Sequence, residues 1–247
     1  MPDTHRPALP LTGERTGPDD GHAAWSREER YWFARHVAGY RLASRLLPPG
    51  RAGRRALVVD TGIGEGYAST LLRARRDVPG PCVVGVELDA AAATHAAAGY
   101  GGAEVADVRG NVVALPLASG VADAVVSSQV IEHVWTPWEH LDEAARVLRP
   151  GGVLVCTTPN RLTFSPGLPR EARPANVYHH REYDAEELRA LAAGRRLTAV
   201  QVLGVHGPPP DARTVSRAAA AGFRVAPGGP GAALDDALDL VLVARRA

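Results

Sequence analysis

Short apolar runs alternate with longer amphipathic segments through the middle of this chain. The apolar runs have the length of buried strands and lie at residues 56–59, 82–87, 104–108, 124–127 and 153–157. The segments between them repeat apolar positions at helical spacing, at residues 67–76, 90–98 and 137–148. Strands that alternate with helices predict an α/β fold with a doubly wound, mostly parallel, Rossmann-like sheet. A ligand of such a sheet lies beyond the carboxyl ends of its strands, at the topological switch point.

The N-terminal part of the chain divides into two segments. Residues 1–24 are rich in proline, show little periodicity and predict a flexible arm. Residues 25–50 predict a helix or lid, which opens with a capping box of Ser26 and Glu29 and ends at Pro48.

The C-terminal part adds elements to the same fold. They are a helix at residues 184–193, a sixth strand at 198–205 and a seventh strand at 238–243. Between the last two strands we predict an insertion over residues 206–237, with a short helix at 214–221 and loop elsewhere. Residues 25–247 are therefore expected to form one domain.

The first strand runs into a loop that has glycine at alternating positions. Asp60 ends the strand, and Gly62, Gly64 and Gly66 follow it. Glycine permits the positive φ angles of a tight turn and lets a ligand approach the backbone where a Cβ would otherwise stand. Asp60 would repel a pyrophosphate but attract a cation, so S-adenosylmethionine (SAM), with its ammonium and sulfonium groups, fits this loop. The loop alone is equally compatible with another nucleotide or with a structural turn.

The spacing of the glycines argues against a dinucleotide. The fingerprint G-x-G-x-x-G needs its third glycine at position 67, where this chain has Tyr67. Together with Asp60, this spacing disfavours a nicotinamide-dependent oxidoreductase.

Polar residues also follow the other predicted strands. Glu87 ends the second strand and can accept both hydroxyls of a ribose, although a solvated acid at a strand end is the simpler alternative. Asn111 follows the third strand and suits either an adenine contact or a turn. Ser128 and Gln129 emerge from the fourth strand. Because the carboxyl ends of parallel strands share one edge, we predict that these residues line the cofactor site.

Composition narrows the possible partners. The 247 residues carry 28 basic and 27 acidic side chains, a net charge of +1, so no overall field favours nucleic acid or a membrane. No apolar run approaches the length of a membrane span. All the basic residues are arginine, which excludes a lysine base. Cys82 and Cys156 lie in apolar runs and are expected to be buried thiols of a cytoplasmic protein.

Histidine is the leading candidate for a general base, since its ordinary pKa lies near neutrality. His133 follows the fourth strand, and His179 and His180 lie after the fifth, in a segment expected to cover the substrate. A structural role is an open alternative for each. Trp25, Tyr31 and Trp32 could form a lid over the ligand or could simply pack.

Six motifs in order carry a family resemblance. They are Asp60-Thr-Gly-Ile-Gly-Glu-Gly66, Val84-Gly-Val-Glu87, Leu115-Pro-Leu117, Val130-Ile-Glu-His-Val134, Arg146-Val-Leu-Arg-Pro-Gly-Gly152 and Thr158-Pro-Asn160. In this order they resemble class I SAM-dependent methyltransferases. The resemblance implies a seven-stranded sheet whose last strand is antiparallel and inserted beside the sixth. It also implies that Asp60 and the glycines hold the methionine end of SAM, that Glu87 holds the ribose, and that Asn111 lies near the adenine.

Flanking motifs are similar to those of a bacterial subgroup that modifies sugars and glycans, including the oligosaccharide of mycofactocin. These motifs are Thr12-Gly-Glu-Arg15, Tyr178-His-His-Arg-Glu-Tyr183 and Leu203-Gly-Val-His-Gly207. The resemblance implies O-methylation of a sugar, a glycan or another small hydroxylated metabolite. N- or C-methylation of a biosynthetic intermediate, and SAM binding without catalysis, are the alternatives. The oligomeric state is left open.

Two positions depart from the family pattern. Asn111 stands where an acid is more usual. Gln129 stands where metal-using relatives have a first acid before their Glu-His pair, here Glu132 and His133. A neutral amide removes a charged ligand for a hard cation. We therefore predict no metal, although Glu132, His133 and His179 could still form a site.

Overall fold

The computed structural model describes residues 27–51, 53–74, 80–102, 105–207, 223–227 and 234–247. The strands are β1 Leu57–Thr61, β2 Cys82–Glu87, β3 Val105–Arg109, β4 Ala122–Ser128, β5 Leu148–Pro159, β6 Leu197–His206, β7 Arg224–Pro227 and β8 Asp239–Arg246. The helices are α1 Arg27–Leu46, α2 Ala68–Arg73, α3 Ala90–Tyr100, α4 Pro137–Val147, α5 Arg161–Phe164 and α6 Ala185–Ala192, with a 3-10 turn at Ile131–His133.

All eight strands belong to one sheet, in the order β3-β2-β1-β4-β5-β8-β6-β7. Strands β1 to β5 pair in parallel, and β8 inserts antiparallel between β5 and β6. The Rossmann-like α/β fold and the position of the antiparallel last strand are thereby confirmed. None of the helices among the described residues has the length and hydropathy that a bilayer crossing requires.

The predicted count of seven strands is wrong, because the insertion contributes an eighth. Residues 224–227 were expected to be loop but form β7, which pairs antiparallel with the edge of β6. Backbone pairing with a strand distant in sequence creates this element, and its own residues show no alternation of apolar and polar positions that would predict a strand. The helix expected at 214–221, the arm at 1–24 and Ser26 of the capping box lie outside the described residues.

Helices cover both faces of the sheet. On one face, α1 and α2 pack on the sheet in a cluster that includes Val37, Tyr40 and Leu72. On the other face, α4 and α6 pack in a second cluster that includes Leu141 and Leu188. Every residue of β4 is buried between these layers, including the polar residues Asp123, Ser127 and Ser128 at its two ends.

The sheet reverses its strand order at β1, which pairs with β2 on one side and β4 on the other. The helices that follow β1 and β4 therefore leave toward opposite faces, and a crevice opens at the carboxyl ends of the strands. Gly62, Glu87 and Gln129 all lie at this edge, directly after or at the end of their strands. The topology thus gathers the polar strand ends at one place.

Candidate functional site

A cavity of about 590 Å³ opens at the carboxyl edge of the sheet. Six of the eight residues predicted for cofactor binding line it: Gly62, Gly64, Glu87, Asn111, Ser128 and Gln129. Asp60 and Gly66 are not among its lining residues. The volume lies within the usual range for small-molecule and cofactor sites.

The three loop glycines have positive φ angles but serve different purposes. A Cβ on Gly62 would stand 2.6 Å from the Val130 side chain, and one on Gly66 would stand 2.7 Å from Ala96. A Cβ on Gly64 would meet nothing within 4 Å. Gly62 and Gly66 therefore permit close packing, whereas Gly64 leaves space on the cavity side that a ligand can fill.

Asp60 is fully buried beneath the cavity wall. Its Oδ1 accepts a hydrogen bond from the Tyr40 hydroxyl at 3.3 Å, while Oδ2 has no partner among the described residues. Burial raises the pKa of Asp60 to about 8; the Tyr40 hydrogen bond opposes this rise, and repulsion from Asp107 and Glu87 adds to it. A buried carboxyl that has no cationic side chain beside it among the described residues fits a cationic ligand group such as the ammonium of SAM.

Glu87 is held in place at the tip of β2. Its Oε2 accepts from the Gly64 N–H at 2.9 Å, and its Oε1 accepts from the Asp89 N–H at 3.0 Å. An ionised carboxylate has about four acceptor sites, so lone pairs remain for a ligand's hydroxyl groups. Asp89 itself caps α3 through the Ala92 N–H.

Asn111 makes the turn contact that was one of its two alternatives, and its adenine contact stays a prediction. Its Oδ1 accepts from the Val113 N–H at 3.1 Å, which is a turn interaction, and the residue also lines the cavity. On the opposite wall, Ser128 Oγ lies 2.9 Å from Thr157 Oγ1. Gln129 Nε2 donates to the same Thr157 oxygen at 3.2 Å.

His133 lies on the cavity wall, and its tautomer is fixed by a neighbour. The Nδ1 atom lies 3.1 Å from the carbonyl oxygen of Tyr178, which can only accept. Nδ1 is therefore the donor, and in the neutral ring Nε2 carries the lone pair. This is the arrangement of a group that can take up a proton at Nε2.

His179 and His180 occupy different surroundings. His179 is buried, and its Nδ1 lies 2.6 Å from a Glu182 carboxylate oxygen. The Asn176 amide donates to its Nε2 at 3.1 Å, and this amide is oriented by the Tyr178 N–H. The rings of His133 and His179 make an edge contact at 5.0 Å. His180 is exposed and stacks on Trp135 at 3.7 Å, outside the lining of the cavity.

Glu132 is buried next to these histidines. Its Oε2 accepts from Thr158 Oγ1 at 3.0 Å, its Oε1 has no partner among the described residues, and burial raises its pKa to about 7. One ligand atom from each of Glu132, His133 and His179 lies within 4.8 Å of the others, so the three could hold a metal ion. Both ring nitrogens of His179 already have partners, Nδ1 in Glu182 and Nε2 in Asn176. The absence of a metal stays a prediction.

Helix α1 supplies residues that the sequence did not single out for the site. His36 and Tyr40 line the cavity, and the Tyr40 hydroxyl reaches Asp60. Tyr31 and Trp32 follow the packing alternative, since their rings contact each other at 4.9 Å and Tyr31 is fully buried. Trp25 lies outside the described residues.

The fold and the site together define a nucleotide-binding α/β protein with a cavity suited to a cationic ligand. The family model described as a methyltransferase domain matches residues 59–156. The chain is 45% identical over 212 residues to a probable SAM-dependent methyltransferase of Mycolicibacterium smegmatis, covering 83% of this chain and 73% of the relative. It is 36% identical over 269 residues to one of Mycobacterium tuberculosis, covering 96% and 90%.

A solved structure from Thermotoga maritima, a SAM-dependent methyltransferase described as a possible histamine N-methyltransferase, has the same fold. It superposes with a TM-score of 0.65 at 22% identity, over 89% of this chain and 94% of that one. The chain therefore belongs to the SAM-dependent methyltransferases, and SAM is its cofactor.

Proposed function

We propose that this protein transfers the methyl group of SAM to a hydroxyl oxygen of a sugar, a glycan or another small hydroxylated metabolite. The observation that supports this acceptor chemistry is the fixed tautomer of His133 on the cavity wall. Because its Nδ1 donates to the Tyr178 carbonyl, its Nε2 can accept the proton that a hydroxyl loses as the new C–O bond forms. An amine acceptor would not need this base, since it can attack as the neutral amine.

The cofactor supplies a methyl group bound to a positively charged sulfur, which makes the methyl carbon electrophilic. We assign Asp60 to the ammonium and Glu87 to the ribose hydroxyls, with Asn111 beside the adenine. The backbone at Gly64, together with Ser128 and Gln129, would form the remaining wall, while Gly62 and Gly66 shape the loop. Holding both reactants in line can account for roughly 7–11 kcal/mol of the barrier.

The other two histidines receive supporting roles. His179, fixed by Glu182, packs against the His133 ring and would hold it in place. His180 and Trp135 form a stacked pair, and Trp135 lies at the mouth of the cavity with 77% of its surface exposed. A flat apolar face beside polar groups suits a ring that carries hydroxyls on its edge, which supports a sugar acceptor together with the flanking motifs.

We further propose that the reaction needs no metal ion. Gln129, the neutral residue at the position of the missing acid, accepts from Arg35 Nη2 at 2.6 Å. Its amide oxygen is thus already engaged by a cation. This contact and the Asn176 hydrogen bond to His179 support general-base catalysis without a metal.

Calorimetric titration with SAM tests the site directly. Wild type should bind SAM, and Gly64→Arg should abolish the binding heat. A Cβ on Gly64 would meet nothing within 4 Å, so the arginine side chain would extend into this open space and exclude the ligand. Gly120→Arg is the matched control: Gly120 has φ +72°, no neighbour within 4 Å of a Cβ, and lies at the opposite end of β4. It carries the same backbone strain without entering the cavity. Unchanged binding by Gly64→Arg, or binding of NAD in place of SAM, would contradict the assignment.

The acceptor requires a screen with purified protein. Sugars, oligosaccharides and hydroxylated metabolites are incubated with SAM carrying an isotopically labelled methyl group, and products are identified by mass spectrometry and NMR. A methyl ether supports the proposal. N- or C-methylated products would favour the second possibility, and SAM binding without turnover on any acceptor would favour a non-catalytic binding protein.

Cellular context completes the proposal. We infer one domain over residues 25–247 acting in the cytoplasm on a small-molecule or glycan acceptor, rather than on nucleic acid or a membrane. The net charge of +1 and the free thiols of Cys82 and Cys156 support this inference. Cell fractionation with an antibody against the protein tests the location.

A further inference from the structure

Arg35 is a buried cation that joins three elements beside the cavity without lining it. It lies on α1 and is only 5% exposed. Its Nη2 donates to Gln129 Oε1 at 2.6 Å, and its Nε lies 3.1 Å from Asp239 Oδ2. The guanidinium also lies 4.8 Å from the ring of Trp32 and 4.9 Å from that of Phe164. Helix α1, the end of β4 and the start of β8 are thereby fixed to one another.

Gln129, which Arg35 contacts, has an unusual backbone. It directly follows β4 with φ +56°, a left-handed conformation that a residue with a side chain adopts only when its surroundings hold it there. Both ends of its amide are engaged, because Oε1 accepts from Arg35 and Nε2 donates to Thr157 Oγ1. A guanidinium can only donate, so Arg35 also determines which way the Gln129 amide faces.

Helix α1 contributes its own part of the cavity. His36 and Tyr40 lie one residue and five residues after Arg35 and line the cavity wall, and Tyr40 donates to Asp60. The contacts of Arg35 therefore fix the relative position of the two sides of the cavity, with Gln129 on one side and α1 on the other.

We propose that Arg35 is a positioning residue of the cofactor site, which sets the Gln129 amide and docks α1 so that SAM meets a preformed wall. The inference rests on the proposed function, since it assumes that SAM occupies this cavity. Arg35 acts through Gln129 and α1 and makes no contact with the cofactor.

A double-mutant cycle on SAM affinity tests the role of Arg35. Arg35→Met and Gln129→Leu should each raise the Kd for SAM by about tenfold or more, the scale seen when a group supporting a ligand contact is removed. Because the two residues share one contact, the loss of affinity in the double variant should be smaller than the product of the two single losses. Arg35→Lys, which keeps the charge, should recover part of the affinity.

Arg149→Met is the matched control for general destabilisation. Arg149 pairs with the buried Asp123 at 2.5 Å, at the end of β4 away from the cavity. This variant should lower the midpoint of thermal unfolding, as Arg35→Met does, while its Kd for SAM stays at the wild-type value. All titrations are made well below the lowest unfolding midpoint.

Hydrogen exchange on wild type keeps the proposal testable if Arg35→Met does not fold. In wild type without SAM, the backbone amides of residues 31–43 should already exchange slowly, because Arg35 docks α1 before the cofactor binds. Fast exchange there without SAM would overturn the proposal, as would a Kd within about twofold of wild type in Arg35→Met, or effects that multiply in the double variant. Failure of wild type itself to bind SAM would instead contradict the proposed function.

Discussion

Replacing Asp60 by asparagine should stabilise the ligand-free protein while weakening its hold on SAM. Asp60 is fully buried, and burial raises its pKa from 3.8 to about 8. At pH 7 the carboxyl is therefore ionised in the unfolded chain and protonated in the folded one. Because the folded pKa is the higher one, the free energy of unfolding falls as the pH rises from about 4 to about 8.

The magnitude follows from these two pKa values. Between pH 3.8 and pH 7 the native state loses about 1.4 kcal/mol per pH unit relative to the unfolded chain, or about 4 kcal/mol in all. Asp60→Asn is neutral at every pH and escapes this loss. Its amide oxygen can accept from Tyr40, but its N–H groups gain no acceptor, which costs about 1–3 kcal/mol. The variant should therefore be more stable than wild type by about 1–3 kcal/mol at pH 7.

Urea unfolding at pH 4, 5.5 and 7 measures the effect. The stability difference between variant and wild type should grow by about 4 kcal/mol from pH 4 to pH 7. Asp123→Asn serves as the control with opposite sign. Burial alone would raise the pKa of Asp123, but the Leu57 N–H, Arg149 and Arg54 outweigh it and lower that pKa. This second variant should lose most at pH 7, where wild-type Asp123 is ionised and paired.

Binding provides the other half of the test. A cationic ligand favours the ionised carboxylate, so SAM binding to wild type at pH 7 should release a proton from Asp60. Calorimetry in buffers of different ionisation enthalpy measures that proton, and Asp60→Asn should release none and bind SAM more weakly. A stability difference that does not change with pH, or equal proton release by the two proteins, would refute the reasoning.

Two further predictions concern catalysis. His133→Gln should lower kcat by roughly 10²–10⁴-fold with little change in the Kd for SAM, measured by steady-state assay and calorimetry. His206 lies outside the cavity lining, so the control His206→Gln should leave both kcat and Kd unchanged. Equal activity of the two variants would exclude His133 as the base. Incubation with EDTA should leave the rate of methyl transfer unchanged, and a loss that Mg²⁺ or Mn²⁺ restores would instead assign Glu132, His133 and His179 to a metal site.

Local patterns in the sequence were sufficient for most of the fold. The predicted strand at 82–87 matches β2, and the predicted helices at 90–98 and 137–148 differ from α3 and α4 by one or two residues at their ends. Buried parallel strands are apolar along their whole length, and helices repeat every 3.6 residues, so both leave a signature within a short window. The sequence also predicted that the polar residues at the strand ends lie together, because the carboxyl ends of parallel strands share one edge of the sheet.

Strand β7 and the start of β5 could not be predicted from local sequence patterns. The fifth strand was predicted to begin at residue 153, yet β5 begins at Leu148, which pairs with Ala122 across an irregularity in the register. Arg224–Pro227 becomes a strand only because it lies along the edge of β6. Pairing between distant segments decides such elements, and local preference does not.

Some features of the site likewise follow from the local sequence, and others depend on tertiary contacts. The sequence by itself determined the class of fold, the glycine loop after Asp60 and the acid at Glu87, since each depends on residue type and spacing along the chain. Only the tertiary structure decided which glycine faces open space, which nitrogen of His133 carries the lone pair, and that Arg35 holds Gln129. It also decided that Asp60 is buried with no cationic side chain beside it in the described part of the chain. These properties depend on burial and on hydrogen bonds between residues far apart in the chain, such as the 94 positions that separate Arg35 from Gln129.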